Sequence, residues 1–435
     1  MREIVCRLNP EDAFNIKSSY KVVNLWSKNE YHYTFWSDNK RQLYQVMNHF
    51  SLPAIDLFNI SLMVYYADRA VLRNEEDDAW TRSIKIYMPV LELDVWNSNK
   101  TLLENMLNFL SGDNWSFDFR ARNINEIESS AQKGIDRRRK KINPDSICML
   151  SGGLDSFIGA INLLERSNNI CFVGHYGGGK GVSVYQNKIN HILQEQYTLT
   201  KDYFFNFYAA PIIEGSKDDT TRTRSFMFFS HAIILASGMN KEIDLFIPEN
   251  GLISLNIPMI INRIGSSSTR TTHPYYMKLL QQLIHNLNIR VNLHNPFQFN
   301  TKGEMIRDCL NPSFLNANIE NTMSCSHPDL GRYDRNPAPS HCGTCLPCVI
   351  RRASIMSANV SDHSEYRNPN FNNDGMPTAK IELKSYRVGL EYFETNCNPL
   401  NIQKSGPIDN NINDYIGVYY RGMGELKNFI DTITG

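Results

Sequence analysis

Two clusters along the chain carry residues able to do chemistry. The first is "SGGLDS", running from Ser151 to Ser156. Glycines there let successive backbone N–H groups point inward, and a helix starting at that point adds partial positive charge, so the stretch suits an anion. The hydroxyls of Ser151 and Ser156 can donate further hydrogen bonds. SGG alone is an ordinary tight turn. The setting makes this one specific, because it follows a short apolar strand, "SICML", and precedes an apolar helical pattern, "DSFIGAINLLERS". No GK[ST] follows, which disfavours a Walker-type P-loop, and there is no G-x-G-x-x-G for a dinucleotide fold. The second cluster is Cys325, Cys342, Cys345 and Cys348, spaced C-x16-C-x2-C-x2-C. Four thiolates so placed suit tetrahedral Zn2+, and a complete set leaves no open position, so the metal would be structural. An iron–sulfur cluster is the chemical alternative. The loop before Cys342, with Pro328, Pro337 and Pro339, has no apolar run of its own, and a metal would supply the stability it lacks. His327 and His341 read as loop residues.

The elements that must position these residues can be read from periodicity. From 146 to about 295, strands alternate with helices. The strands are "SICML", "ICFVGHY", "YFFNFY", "IDLFI" and "IRVNL"; the helices include "VYQNKINHILQEQ", "RSFMFFSHAIILASG" and "YYMKLLQQLIHNL". This predicts an α/β fold with a doubly wound parallel sheet, whose ligands bind at the carboxyl ends of the strands. Residues 1–140 read as an extra α+β domain. It has a helix at 53–73 and a period-two strand at 83–95, no catalytic constellation, and a structural or partner-binding role. Five basic residues, Arg137 to Lys141, read as a solvated linker, with a phosphate or nucleic-acid contact the lesser reading. The tail, 356–435, reads as loop-rich with a few amphipathic pieces, packing on the core.

Bulk properties bound the rest. At 435 residues the chain suggests more than one domain, and 42% hydrophobic residues suffice for a sizeable core. Lys plus Arg and Asp plus Glu both number 45, and this zero net charge disfavours a general polyanion binder. No stretch is long and apolar enough for a membrane span, and "MREIVCRLNPED" is no secretory signal, so the expected compartment is the cytoplasm. The nine cysteines then read as thiols or metal ligands rather than disulfides.

The full SGGLDS, opening a βαβ run, resembles the signature of the PP-loop ATP pyrophosphatases. With the later H-C-G-x-C-x-x-C-x-x-R, "HCGTCLPCVIR", it resembles the 7-cyano-7-deazaguanine synthase (QueC) family. The resemblance covers about 145–355 and implies a PP-loop, HUP-like domain with its zinc motif at 325–348. It implies that Ser151, Gly152, Gly153, Leu154, Asp155 and Ser156 cradle the phosphates of ATP, with Mg2+ between Asp155 and the phosphate oxygens. Tyr176 and Gly177 match the family's Tyr-Gly pair, Arg224 its nucleotide-side arginine, and Lys302 and Glu304 its helix-opening lysine and glutamate. Ser151, Asp155 and Lys302 are thereby the candidate catalytic residues. Thr301 and Glu304 also form a capping box, which gives Glu304 a purely structural explanation.

The family's acidic, tyrosine-rich substrate stretch ending in Pro-Asp-Cys-Arg-Pro is replaced by "PENGLISLNIPMIINRIGSSSTRTTHPYYM". Glu249, Asn250, Arg270 and His273 are the candidate substrate contacts there. The implied reaction is adenylation of a carboxylate, 7-carboxy-7-deazaguanine or a relative, followed by attack of ammonia or of a protein amine. Large, N-terminally extended members of the family resemble the QatC component of Qat anti-phage defence operons. That likeness implies a protein partner encoded alongside and a role in immunity. A tRNA-thiolating PP-loop enzyme and a non-enzymatic nucleotide-binding scaffold are the alternatives, distinguished by salt-sensitive tRNA binding and by ATP binding without AMP release.

Overall fold

The computed structural model describes residues 1–37, 40–167, 169–177, 180–239, 241–257, 270–329, 338–371 and 379–434. Parts of the "GGGKG" stretch, of the 248–277 segment, of the loop before Cys342 and of the polar stretch after 360 lie outside the described residues. Residues 1–140 supply strands β1 (Arg2–Arg7), β2 (Lys21–Asn24), β3 (Tyr31–Tyr33), β4 (Ser83–Val90) and β5 (Asn114–Ala121). The alternating segment supplies β6 (Ser146–Met149), β7 (Ile170–Tyr176), β8 (Phe204–Pro211), β9 (Ile243–Phe246) and β10 (Val291–His294).

β6 to β10 form a parallel sheet in the order β10-β9-β6-β7-β8, with β3 added antiparallel at the β8 edge. The chain starts in the middle at β6, winds out to β8, then crosses back to β9 and β10. That reversal puts the topological switch between β6 and β9, where such sheets open a crevice at their carboxyl ends. β6 and the first six residues of β7 are buried without alternation, because helices cover both faces. Ile147, Met149, Cys171 and Val173 enter one core, and Cys148, Leu150, Ile170 and Phe172 enter the other. Helices Leu154–Leu164 and Lys180–Tyr197 pack in the second core.

The first 140 residues differ from an α+β reading in two ways. Their four-stranded sheet, β2-β1-β4-β5, is parallel throughout. Their β3 belongs to the other sheet, covering its exposed edge. Helix Leu52–Ala70 packs against helix Arg224–Ser237, β4 and β8, and is buried nearly all round. One hydrophobic cluster accordingly runs from Ile4 and Ile86 through Phe58 to Ile147 and Phe205. The expected strand over 83–95 ends at Val90. Asp56 accepts hydrogen bonds from the backbone N–H groups of Leu91 and Glu92, and helix Leu93–Ser111 begins there.

The tail is more helical than its composition suggests. Helices Ala379–Asn396 and Ile412–Thr434 build a third core with helix Leu346–Ser357. Among the described residues no helix is long and apolar enough to cross a membrane.

Candidate active site at the sheet switch point

The SGGLDS loop leaves β6 and enters helix Leu154–Leu164. Gly152 has φ +87°, a left-handed conformation that a side chain would strain. A Cβ there would also lie 3.1 Å from Gln186 Cγ and 3.2 Å from Gln186 N. The helix starts at Gly153 with no side-chain cap, so its first-turn N–H groups remain available to an anion. Ser151 is exposed; its Oγ lies 3.1 Å from Ser156 Oγ and accepts from Gly153 N. Leu154 is fully buried and anchors the helix start.

Asp155 turns inward and is 6% exposed. Its Oδ2 accepts from Asn250 N at 3.1 Å and Asn250 Nδ2 at 2.6 Å, and its Oδ1 pairs with Lys302 Nζ at 3.0 Å. Asn250 caps the short helix Gly251–Leu255 after β9, and Lys302 opens helix Lys302–Arg307 after β10. Loops after β6, β9 and β10 therefore converge at the switch. Burial opposes ionisation of Asp155, but the Lys302 ammonium and hydrogen bonds from Glu249 and Asn250 outweigh it and hold the carboxyl below its usual range. Glu249 is pushed well above its range by burial and by the Asp155 charge beside it. The pair thus holds one proton and faces one lysine cation, and the cluster is internally neutral. With the proton released, the Asp155 and Glu249 carboxylates would offer hard oxygen donors of the kind that suits Mg2+.

Two neighbours fix the loop from outside it. Gln186 Nε2 lies within hydrogen-bond reach of the carbonyls of His175, at 3.0 Å, Ser151, at 3.2 Å, and Leu150, at 3.4 Å. Met323 N donates to Gly152 O at 2.8 Å. Met323 lies two residues before Cys325, so the cysteine motif and the glycine loop are joined through backbone.

The four cysteines come together as their spacing predicts, with Sγ atoms all within 4.8 Å of one another. Cys325–Cys345 and Cys342–Cys348 are each 3.9 Å apart. Zn–S bonds of roughly 2.3 Å in a tetrahedron put sulfurs about 3.8 Å apart, so the set fits zinc. Gly343 has φ +90°, and a Cβ there would meet Asn368 O at 2.7 Å, so the tight turn between Cys342 and Cys345 needs glycine. Backbone N–H groups of His327, Cys342 and Cys345 point at Cys325 and Cys342 sulfurs, an arrangement that favours thiolate. His341 bridges Thr322 O and Cys348 Sγ, and the fully buried Arg351 binds Thr322 Oγ1, Ile319 O and Ser364 Oγ.

Comparison with known proteins then bears on the site. No protein-family model matches the chain. The 7-cyano-7-deazaguanine synthase of Rickettsia felis is 27% identical over 146 residues, covering 33% of this chain and 55% of that protein. Those of Rickettsia akari and Rickettsia canadensis are each 26% identical, over 150 and 149 residues, again covering 33% of this chain. The chain spans about half the length of the curated relatives it matches. This weak homology supports a QueC-like kinship.

The structure gathers some candidate residues and separates others. Ser151, Gly152, Gly153, Asp155, Ser156, Glu249, Asn250 and Lys302 share the switch-point cluster. Tyr176 ends β7, its ring edge-on to Tyr208 at 5.4 Å, and Arg224 is the exposed first residue of its helix. Arg270 and His273 are occupied elsewhere. Arg270 donates to Phe109 O and lies over the Phe109 ring, while His273 caps helix Pro274–Asn286 and packs between Phe109 and Ser405. Glu304 completes the capping box with Thr301 and pairs with Arg421. The basic run is also engaged: Lys140 pairs with Asp202, and Lys141 Nζ donates to Val46 O and Ile135 O. Gln186 has the largest role not assigned from sequence, while Glu249, read there as a substrate contact, lies beside Asp155. Gln186 sits at i relative to buried Ile189 and Leu193, and a polar residue in that register is the signal that could have found it.

Proposed function

We propose that the chain is a QueC-like enzyme that adenylates a carboxylate with ATP and Mg2+, releasing pyrophosphate, and then passes the acyl group to an amine. The observation that carries this reading is the convergence of SGGLDS, Glu249–Asn250 and Lys302 at the switch of a parallel sheet. The name of the curated relatives supports a 7-deazaguanine-type acid, 7-carboxy-7-deazaguanine or a relative, as substrate. In this reading the uncapped start of helix Leu154–Leu164 and the hydroxyls of Ser151 and Ser156 take the phosphates. Lys302 neutralises charge as pyrophosphate departs, and Asp155 holds Lys302 in place. Mg2+, held by Asp155 and Glu249, would supply charge neutralisation for the phosphate oxygens. AMP leaves more readily than hydroxide, so an amine can displace it. That amine is ammonia or an amino group of a partner protein, and the N-terminal 140 residues are the surface we assign to such a partner. A role in anti-phage defence follows from the likeness to the extended Qat-type proteins.

The test is incubation with ATP, Mg2+ and 7-carboxy-7-deazaguanine, following AMP and the deazaguanine by mass spectrometry. Acid-dependent AMP is expected, and Ser151→Ala or Asp155→Asn should abolish it. Full turnover in either variant refutes the assignment of the loop. ATP binding without AMP, with the acid present, would instead identify a nucleotide-binding scaffold.

A further inference from the structure

Helix Ile412–Thr434 lies outside the alternating segment, yet it grips the turn that carries Lys302. Glu425 on this helix is 9% exposed. Its Oε1 accepts from Thr301 Oγ1, and its Oε2 accepts from Gly303 N at 3.3 Å and Ser354 Oγ at 3.0 Å. Thr301 and Gly303 flank Lys302, so one carboxylate holds the backbone on both sides of the lysine. The approach depends on glycine: a Cβ on Gly303 would stand 2.4 Å from Glu425 Oε1. One turn earlier, Arg421 donates to Phe299 O at 2.8 Å and pairs with Glu304, closing the other side of the turn. Ser354 belongs to helix Leu346–Ser357, which starts at Cys345. Glu425 therefore ties the tail, the cysteine-bearing helix and the Lys302 turn to a single point.

We infer that Glu425 is a positioning residue for Lys302, so that the C-terminal extension completes the nucleotide site. The inference rests on the adenylating reading for its functional consequence, and on geometry alone for the coupling of Glu425 to Lys302. A lysine ammonium contributes to phosphate binding only where its stem is aimed. The Lys302 stem leaves a six-residue helix too short to fix its own direction. Glu425 supplies that direction from outside.

The experiment is a double-mutant cycle on the full chain, read by the Kd for ATP and by stability in urea. Glu425→Ala should weaken ATP binding about tenfold or more. Glu425→Gln should recover part of the loss, because its amide oxygen still accepts from Thr301 Oγ1 while its NH2 faces the Gly303 N–H. Glu425→Ala with Lys302→Met should bind ATP no worse than Lys302→Met alone. Effects that multiply independently overturn the inference, since Glu425 would then act elsewhere. If Glu425→Ala does not fold, the Gln variant carries the same cycle. If the wild-type chain binds no ATP, the adenylating reading fails, and the urea cycle alone decides the coupling: non-additive losses for Glu425→Gln and Lys302→Met support it, and additive losses overturn it.

Discussion

Removing the Lys302 cation tests the switch-point cluster most directly. In Lys302→Met, Asp155 stays buried against Asn250 and Glu249 without its counter-charge. An uncompensated buried carboxylate is expelled or protonated. The unfolded chain keeps Asp155 near its ordinary value of 3.8. If the folded variant must hold Asp155 protonated, the cost at pH 7 is about 4 kcal/mol, from roughly 1.4 kcal/mol per pH unit between that value and 7. At pH 5 the same reasoning leaves about 1.7 kcal/mol. The sign reverses relative to wild type. There the depressed Asp155 carboxyl contributes stability above its unfolded pKa, lost as pH falls. In the variant its raised value favours the fold at low pH, and the gain is lost as pH rises. Urea denaturation of Lys302→Met at pH 5 and pH 7 should show this widening deficit. Adding Asp155→Asn removes the stranded charge, and the double variant should be more stable at pH 7 than Lys302→Met alone. A deficit under about 1 kcal/mol with no pH dependence, or strictly additive losses, would refute the buried-pair account.

Gly152→Ala combines a left-handed backbone with contact against Gln186, so ATP binding should fall at least about tenfold. Metal analysis should find one zinc per chain, and chelation or Cys345→Ser should lower Tm by about 5 °C or more, corresponding to the loss of a closed structural site. An iron–sulfur cluster would appear instead as visible absorbance. His231 sits among Phe58, Phe207 and Phe35 and is held neutral, burial pushing it from 6.5 down to about 4. A depressed histidine contributes stability above its unfolded pKa that is lost as pH falls, here about 2 kcal/mol by pH 5. His231→Phe should keep the aromatic packing and flatten the acid limb of the Tm profile.

Legibility in the sequence follows the range of the interactions involved. The parallel sheet declares itself because each strand is a local apolar run and each helix has its own period. The glycine loop and the cysteine set are also local. Helix Leu52–Ala70 was visible as a helix, but its burial between partners was not, since its apolar residues surround it rather than form a stripe. The pairing of β3 with β8 joins Tyr31 to Pro211 and leaves no trace in either segment. Arg270 and His273 show what a polar loop segment leaves open: side chains fit for a substrate are equally fit to bind a backbone carbonyl or cap a helix. The polar, turn-rich "NPLNIQKSGPIDNN" between the tail helices obscures them. Glu425 has nothing around it to distinguish it from a surface glutamate. Only the fold brings it to Gly303.

The two flanking regions treat the central sheet alike. From the N-terminal side, Asp68 Oδ2 accepts from Thr223 N at 3.1 Å and Thr223 Oγ1 at 2.8 Å, at the start of the helix that opens with Arg224. Asp68 is itself fixed by Arg82, which also pairs with Asp113, in a network of fully buried side chains. From the C-terminal side, Glu425 does the same for the helix that opens with Lys302. Helix starts leave N–H groups unpaired and carry partial positive charge, so a buried carboxylate there is favoured and directional. A charged network of this kind adds little net stability compared with apolar packing, but it penalises any arrangement in which one member moves. The helix starts at two of the strand-to-helix crossings are thus held by carboxylates from outside the alternating segment. An α/β segment alone would lose the carboxylates that hold the helix starts at Thr223 and Thr301.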